Sequence, residues 1–144
     1  MNEENVPVII AGGKHTDERG TLTYFNDLNL SAVKRLYVLE HPDPGIVRAW
    51  QGHQYENKWF YVVEGSFKIV LIRPDDWLSP AEDLQPQEFS LTSAADQVLH
   101  VPGGFASGFQ ALEPDSKMMV FSNFSIAESL NDDFRFNKSK WYNW

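Results

Sequence analysis

Midway along the chain the sequence runs Gly45-Ile46-Val47-Arg48-Ala49-Trp50-Gln51-Gly52-His53, followed by Glu56 and Lys58. The imidazole is the side chain whose ordinary pKa lies nearest neutrality, so His53 is the first candidate for taking and returning a proton. Arg48 and Lys58 flank it with positive charge, and Arg19 adds a third cation in the turn Asp17-Glu18-Arg19-Gly20. Such cations hold anionic oxygens through charge-assisted hydrogen bonds. Beside a carbonyl they stabilise the charge that develops when a neighbouring proton leaves. In an extended segment side chains two apart share a face, so Gln51 and His53 point the same way. The Gln51 amide cannot abstract a proton, but it can bond a hydroxyl or carbonyl. One His, one Glu and an amide make a poor set for zinc, iron or manganese, which take three or four good N or O donors. No metal and no cofactor is expected.

Each of these residues also has a structural alternative. His53 then bonds Glu56 or Tyr61 inside the molecule, Arg48 and Lys58 are solvated strand residues, and Arg19 is exposed on its turn. Trp50 and Trp59 are core, or they stack on a flat ligand. His15, His41 and His100 have no partner motif and are taken as structural or exposed.

The elements that must position these groups are short. Apolar runs recur with turn residues between them, and no 15-residue stretch shows clean helical periodicity. Strands are expected over Val6–Ile10, Thr21–Phe25, Arg35–Leu39, from Val47 to Trp50, Lys58–Val63 and Phe67–Ile72, the last two joined by the Glu64-Gly65 turn. Further strands are expected over Phe89–Leu91, Val98–Val101, Phe109–Leu112 and Lys117–Phe124, with a long polar loop from Pro74 to Pro86. A polar, aromatic tail from about Asn131 reads as a short helix or an extended arm. The 144 residues suit one domain, and the 14% aromatic content suits pleated sheet. An all-β sandwich, barrel or jelly roll follows. The formal net charge of −8 argues against a nucleic-acid or anionic-membrane partner, so an anionic ligand needs a local cluster of Arg and Lys. With no Cys, disulfides and thiolate chemistry are excluded. No apolar run approaches the roughly 20 residues of a membrane span, and the start Met1-Asn2-Glu3-Glu4-Asn5 lacks a leader's apolar stretch, so a cytoplasmic location is expected.

Two motif frames carry a family resemblance. Gly45, five residues and Gln51-x-His53 match the frame of the first cupin motif, and Pro102-Gly103-Gly104-Phe105-Ala106-Ser107 matches the second, with Gln51 and Ser107 in place of metal ligands. The chain resembles more closely the cupin-type dTDP-4-dehydrorhamnose 3,5-epimerases and dTDP-sugar 3,4-ketoisomerases. The resemblance runs through Asp17–Gly20, Arg48–His53, Lys58–Gly65, Ser79-Pro80 and Val101–Leu112. It implies a single-domain cupin double-stranded β-helix over residues 1–144, a homodimer, and a nucleotide-sugar substrate in surface polysaccharide biosynthesis. It further implies that Arg19, Arg48, Trp50, Tyr61 and Ser107 contact the substrate while His53, Lys58 and Gln51 carry the chemistry. The departures are specific. Gln51 and Ser107 stand where the family has histidines, and the family's acidic Tyr has no counterpart near Ser122-Asn123-Phe124-Ser125. A single His suits ketoisomerisation better than two epimerisations; Tyr61 or Tyr37 is the next candidate base. Two readings stay open: a metal-independent isomerase or epimerase acting on a nucleotide-linked 4-keto-6-deoxy sugar, or a non-catalytic cupin that binds a sugar or sugar nucleotide.

Overall fold

A computed structural model describes residues 5–144, so the polar opening read for want of a leader lies, except for Asn5, outside the described residues. The chain order is β1 (Val8–Ala11), β2 (Gly13–Asp17), β3 (Gly20–Tyr24), β4 (Arg35–His41), β5 (Val47–His53), β6 (Lys58–Glu64), β7 (Ser66–Ile72), β8 (Gln87–Thr92), β9 (Gln97–Val101), β10 (Phe105–Ala111), β11 (Ser116–Ser122), α1 (Ile126–Leu130) and β12 (Phe134–Arg135). One sheet has the order β1-β9-β6-β11-β4, the other β12-β5-β10-β7-β8, and β2-β3 form a separate hairpin. From β4 to β11 the chain changes sheet at every connection except β7–β8, which is the winding of a jelly roll. The all-β cupin-type architecture expected from the sequence is therefore present.

Alternation along the strands explains the layers. Phe67, Ile69 and Leu71 face the other sheet and join Phe60, Leu99 and Met118 in the main core. Val70 and Ile72 point the opposite way and, with Trp50 and Ala106, are roofed by Phe136, Trp141 and Trp144 of the tail. The tail is thus an arm that covers a sheet face. On one side β8 packs against β6 and β9 and closes the sandwich. On the other side β4 and β5 stand apart, and the interior opens there.

Several boundaries differ from expectation for identifiable reasons. Strand β2 was not expected, because Lys14-His15-Thr16-Asp17 has no apolar alternation; its ladder to β3 holds it, helped by the Thr16–Thr21 hydroxyl contact of 2.9 Å. The strand expected to reach Phe124 stops at Ser122, whose hydroxyl accepts the Phe124 N–H; Ser125 then caps α1 in a capping box with Glu128. Strand β10 begins earlier, at Phe105, because its small residues Ala106 and Ser107 are paired on both sides, with β5 and with β7. Gly65 turns the β6–β7 hairpin with φ of 71°, a region that glycine enters without strain.

A cationic cleft between β4 and β5

The registers of β5 and β10 show how the candidate residues meet. Ser107 lies opposite Gln51 and Phe109 opposite Arg48, so two steps along β10 correspond to three along β5. The extra residue is a β-bulge, and it turns Arg48 onto the same inner face as Gln51 and His53. Strict alternation would have left Arg48 on the face of Trp50. From β4, Arg35, Tyr37 and Leu39 project onto the facing wall, and β12 brings Asp133 and Arg135 alongside Gln51. The result is an open cleft with two connected lobes of about 310 and 440 Å³, both bordered by Tyr37, Arg48, Gln51 and Arg135. Spaces of this size take small ligands.

Four cations, Arg35, Arg48, Lys58 and Arg135, line the cleft of a protein whose net charge is −8. Arg35 contacts Glu56 and Arg135 bonds Asp133 at 2.7 Å. Among the described residues, neither Arg48 nor Lys58 is ion-paired. Lys58 is only 5% exposed. Its Nζ donates to Gln51 Oε1 at 3.3 Å and lies 5.8 Å from the Tyr37 ring centre. Gln51 in turn donates through Nε2 to Asp133 Oδ1 at 3.2 Å. Burial pushes the Asp133 carboxyl upward, but the hydrogen bonds from Arg135 and Gln51 prevail and hold it below the ordinary carboxylate value. The amide is thereby oriented, with its oxygen toward the lysine and its NH₂ toward the carboxylate.

His53 lies behind this row. It is 5% exposed and does not border the cleft lobes. Its Nδ1 is 2.6 Å from the Asp132 carbonyl, which can only accept, so Nδ1 carries the proton and Nε2 presents a lone pair. Nε2 is buried and has no hydrogen-bond partner. Burial, seconded by the charge of Lys58, lowers the His53 pKa; Glu56 and the Asp132 contacts oppose them and lose. The ring is therefore neutral near pH 7 and has the tautomer of a base. Glu56 sits 3.5 Å from Nδ1, and its oxygens are held by the hydroxyls of Ser122 (2.7 Å) and Ser129 (2.6 Å). The Asp132 carboxylate accepts the backbone N–H groups of Gln54, Tyr55 and Glu56, which fixes the turn after β5.

The expected site residues thus divide. Arg48, Gln51, Lys58 and Ser107 come together in the cleft, with His53 just beneath it. Trp50 borders one lobe of the cleft through its place on β5, but it is only 1% exposed: its ring packs against Trp141 and Trp144 and donates its indole N–H to the Lys140 carbonyl. Tyr61 is on the other face of β6, edge-on to Phe25 at 5.2 Å. Arg19 lies at the tip of the β2–β3 hairpin, its side chain 82% exposed and paired with Asp17 at 2.6 Å, beside a separate hollow of hairpin residues. Arg35, Asp133 and Arg135 were not anticipated. Period-2 alternation from Tyr37 and Leu39 contained the signal for Arg35, whereas a two-residue strand such as β12 leaves no periodic trace. Among the described residues no group of three or more His, Asp or Glu side chains is arranged to hold a metal ion.

Comparison with solved structures places this architecture beside sugar-nucleotide enzymes. A 3,4-ketoisomerase from Thermoanaerobacterium thermosaccharolyticum, in complex with TDP-4-keto-6-deoxyglucose, superposes with a TM-score of 0.71 at 20% identity, covering 90% of this chain and 87% of that one. The rmlC epimerase of Mycobacterium tuberculosis gives 0.77 at 17% identity over 100% of this chain and 76% of its own. The dTDP-4-dehydrorhamnose 3,5-epimerase from Bacillus anthracis, with TDP and PPi bound, gives 0.73 at 18% identity over 96% and 83%. No protein-family model and no curated protein sequence matches the chain. At these identities the likeness is one of fold.

Proposed function

We propose that the cleft binds a nucleotide-linked 4-keto-6-deoxy sugar and moves its carbonyl to the neighbouring carbon by transferring a proton, without a metal. The observation that carries this reading is the buried, unpaired Lys58 amine bonded to Gln51 in an arginine-lined cleft, with a lone-pair nitrogen of His53 behind it. A buried lysine without a carboxylate is costly unless it serves something. In the proposed reaction His53 Nε2 takes the proton from the carbon next to the carbonyl. The electron pair moves into an enediolate whose oxygen is stabilised by Lys58. The proton of the neighbouring hydroxyl passes to the former carbonyl oxygen. The Tyr37 hydroxyl that lines the cleft gives a proton to the former carbonyl carbon and is restored by the one His53 took, and the carbonyl has moved by one position. Gln51 holds a sugar hydroxyl, and the arginines neutralise the diphosphate. The cellular setting we assign is the cytoplasm, in surface polysaccharide biosynthesis. A homodimer is part of the same proposal.

The second reading, a protein that binds the sugar nucleotide without transforming it, is favoured by one feature: Gln51 occupies the cleft wall while His53 is almost wholly covered. One experiment separates the two. Incubation with dTDP-4-keto-6-deoxyglucose in D₂O should label a carbon beside the carbonyl, and His53→Asn should cut the labelling about 10²-fold or more. Binding without exchange in the wild type selects the second reading. Exchange that survives His53→Asn moves the base to Tyr37.

A further inference from the structure

Among the described residues, only three buried side-chain polar atoms lack a hydrogen-bond partner, and all three are histidine nitrogens. One is Nε2 of His53, used above. The other two are Nδ1 and Nε2 of His41, which the reaction does not use. An interior group left unsatisfied calls for an explanation.

His41 ends β4 and continues the inward row of Arg35, Tyr37 and Leu39. It is 3% exposed. Phe67 of β7 lies edge-on to it at 5.3 Å, and Phe109 of β10 lies tilted against it at 6.0 Å. On β11 it is opposed by Ser116, whose hydroxyl is engaged by the Glu113 carbonyl. Among the described residues, the charged group whose field reaches it is Arg48 of β5. Arg48 and Phe109 are cross-strand neighbours and both border the cleft. His41 therefore sits just past the cleft's end away from Lys58, with an unpaired guanidinium between it and the ligand space.

We infer that Arg48 and His41 form a phosphoryl-binding end of the cleft, in which an anion seated on Arg48 draws a proton onto His41. The inference rests on the reading of the cleft as the site of a phosphorylated ligand, and it adds an orientation: diphosphate toward Arg48 and His41, keto-sugar toward Gln51 and Lys58. The physical reason is electrostatic. Burial first, and then Arg48, hold the imidazole below its ordinary pKa. An anion that neutralises Arg48 removes the repulsion and supplies a counter-charge. By linkage, protonation of His41 must tighten anion binding by the same factor.

Inorganic sulfate tests this without any sugar nucleotide, because it is a phosphoryl-shaped dianion that does not titrate near neutrality. Histidine imidazole NMR of the wild-type protein is recorded against pH, with sulfate and with chloride at equal ionic strength. His41 is assigned by its loss in His41→Gln, or by contacts to the Phe67 and Phe109 rings if that variant does not fold. Sulfate should raise the His41 midpoint by about 0.5 to 1 pH unit, equivalent to about 3- to 10-fold tighter sulfate binding by the protonated form. In Arg48→Gln the midpoint should be higher than in the wild type even without sulfate, and should not respond to it. No sulfate response, a response equal in chloride, or one unchanged in Arg48→Gln overturns the inference. A sulfate response in a protein that exchanges no substrate proton leaves the inference standing and removes the isomerase reading instead.

Discussion

Lys58 and Gln51 restrain each other, so substitutions at the two positions have different expected consequences. Lys58→Met keeps an apolar chain of similar length but removes the cation from the developing enediolate. We expect deuterium incorporation to fall about 10²- to 10³-fold, the loss typical of one oxyanion donor, with a smaller effect on ligand affinity. Arg48→Ala has the reverse profile. Charge-assisted hydrogen bonds contribute about 1.5–3 kcal/mol each, so calorimetry should show binding of dTDP weakened about 10- to 150-fold. Unchanged affinity with an intact fold takes Arg48 out of the site. The histidines also set a pH dependence of stability. His41 and His53 are both held below the ordinary value of 6.5, so the unfolded chain takes up their protons more readily than the folded one. Their contribution is fully present above pH 6.5 and is lost as pH falls from there through the folded-state values. The melting temperature should therefore drop between pH 7 and 5, and the slope should flatten in His41→Gln.

At the scale of elements, two features build the site. The bulge in β5 turns Arg48 inward, and it sits opposite Gly108, where an added Cβ would lie 2.7 Å from the Ala49 Cβ and 2.8 Å from the Trp144 ring. The arm after β12 then roofs Trp50, so the outer face of β5 is anchored while its inner face carries chemistry. Trp141 packs edge-on to both Trp50 and Phe136 and donates to the Ala81 carbonyl at 2.7 Å. Trp141→Ala should cost about 3 kcal/mol in denaturant unfolding, the low end for losing a core tryptophan. It should also weaken ligand binding, because the arm runs on directly from β12, which brings Asp133 and Arg135 to the cleft. A variant that is destabilised but binds normally would separate the arm from the site.

The whole molecule concentrates positive charge in one cleft against an acidic background, which directs anions there and disfavours polyanions elsewhere. It also exposes an apolar sheet face. Leu36 and Val38 of β4 and Val63 of β6 are 51%, 54% and 41% exposed on the outer side of the β1-β9-β6-β11-β4 sheet, next to Met119 and Phe121 of β11. A contiguous patch of this kind favours burial against another surface, and a second copy of the chain is the occupant in the proposed homodimer. Light scattering should give twice the chain mass, and Val38→Glu should halve it. A wild type that remains monomeric would remove the dimer. Protein purified without chelator should carry no stoichiometric transition metal by elemental analysis; one bound ion per chain would overturn the metal-free mechanism.

Local patterns in the sequence were enough to indicate β strands and a cationic segment around Gln51 and His53, because alternation and turn residues act over neighbouring positions; the jelly-roll winding was implied only by the family resemblance of the motif frames. They also placed Lys58, Arg48 and Ser107 in one neighbourhood. They did not show that the tail covers Trp50 or that Tyr61 lies on the far face of β6, since alternation separates the two faces of a strand but does not say which face another element covers. The 136–144 arm covers Trp50, and Phe25 lies against Tyr61. The inward turn of Arg48 depends on a bulge defined only by pairing with β10, and Asp133 and Arg135 reach the cleft through two residues of strand. Even the tautomer of His53 is set by a carbonyl 79 positions away. Such decisions belong to the tertiary structure, because they depend on contacts between segments that the chain order leaves far apart.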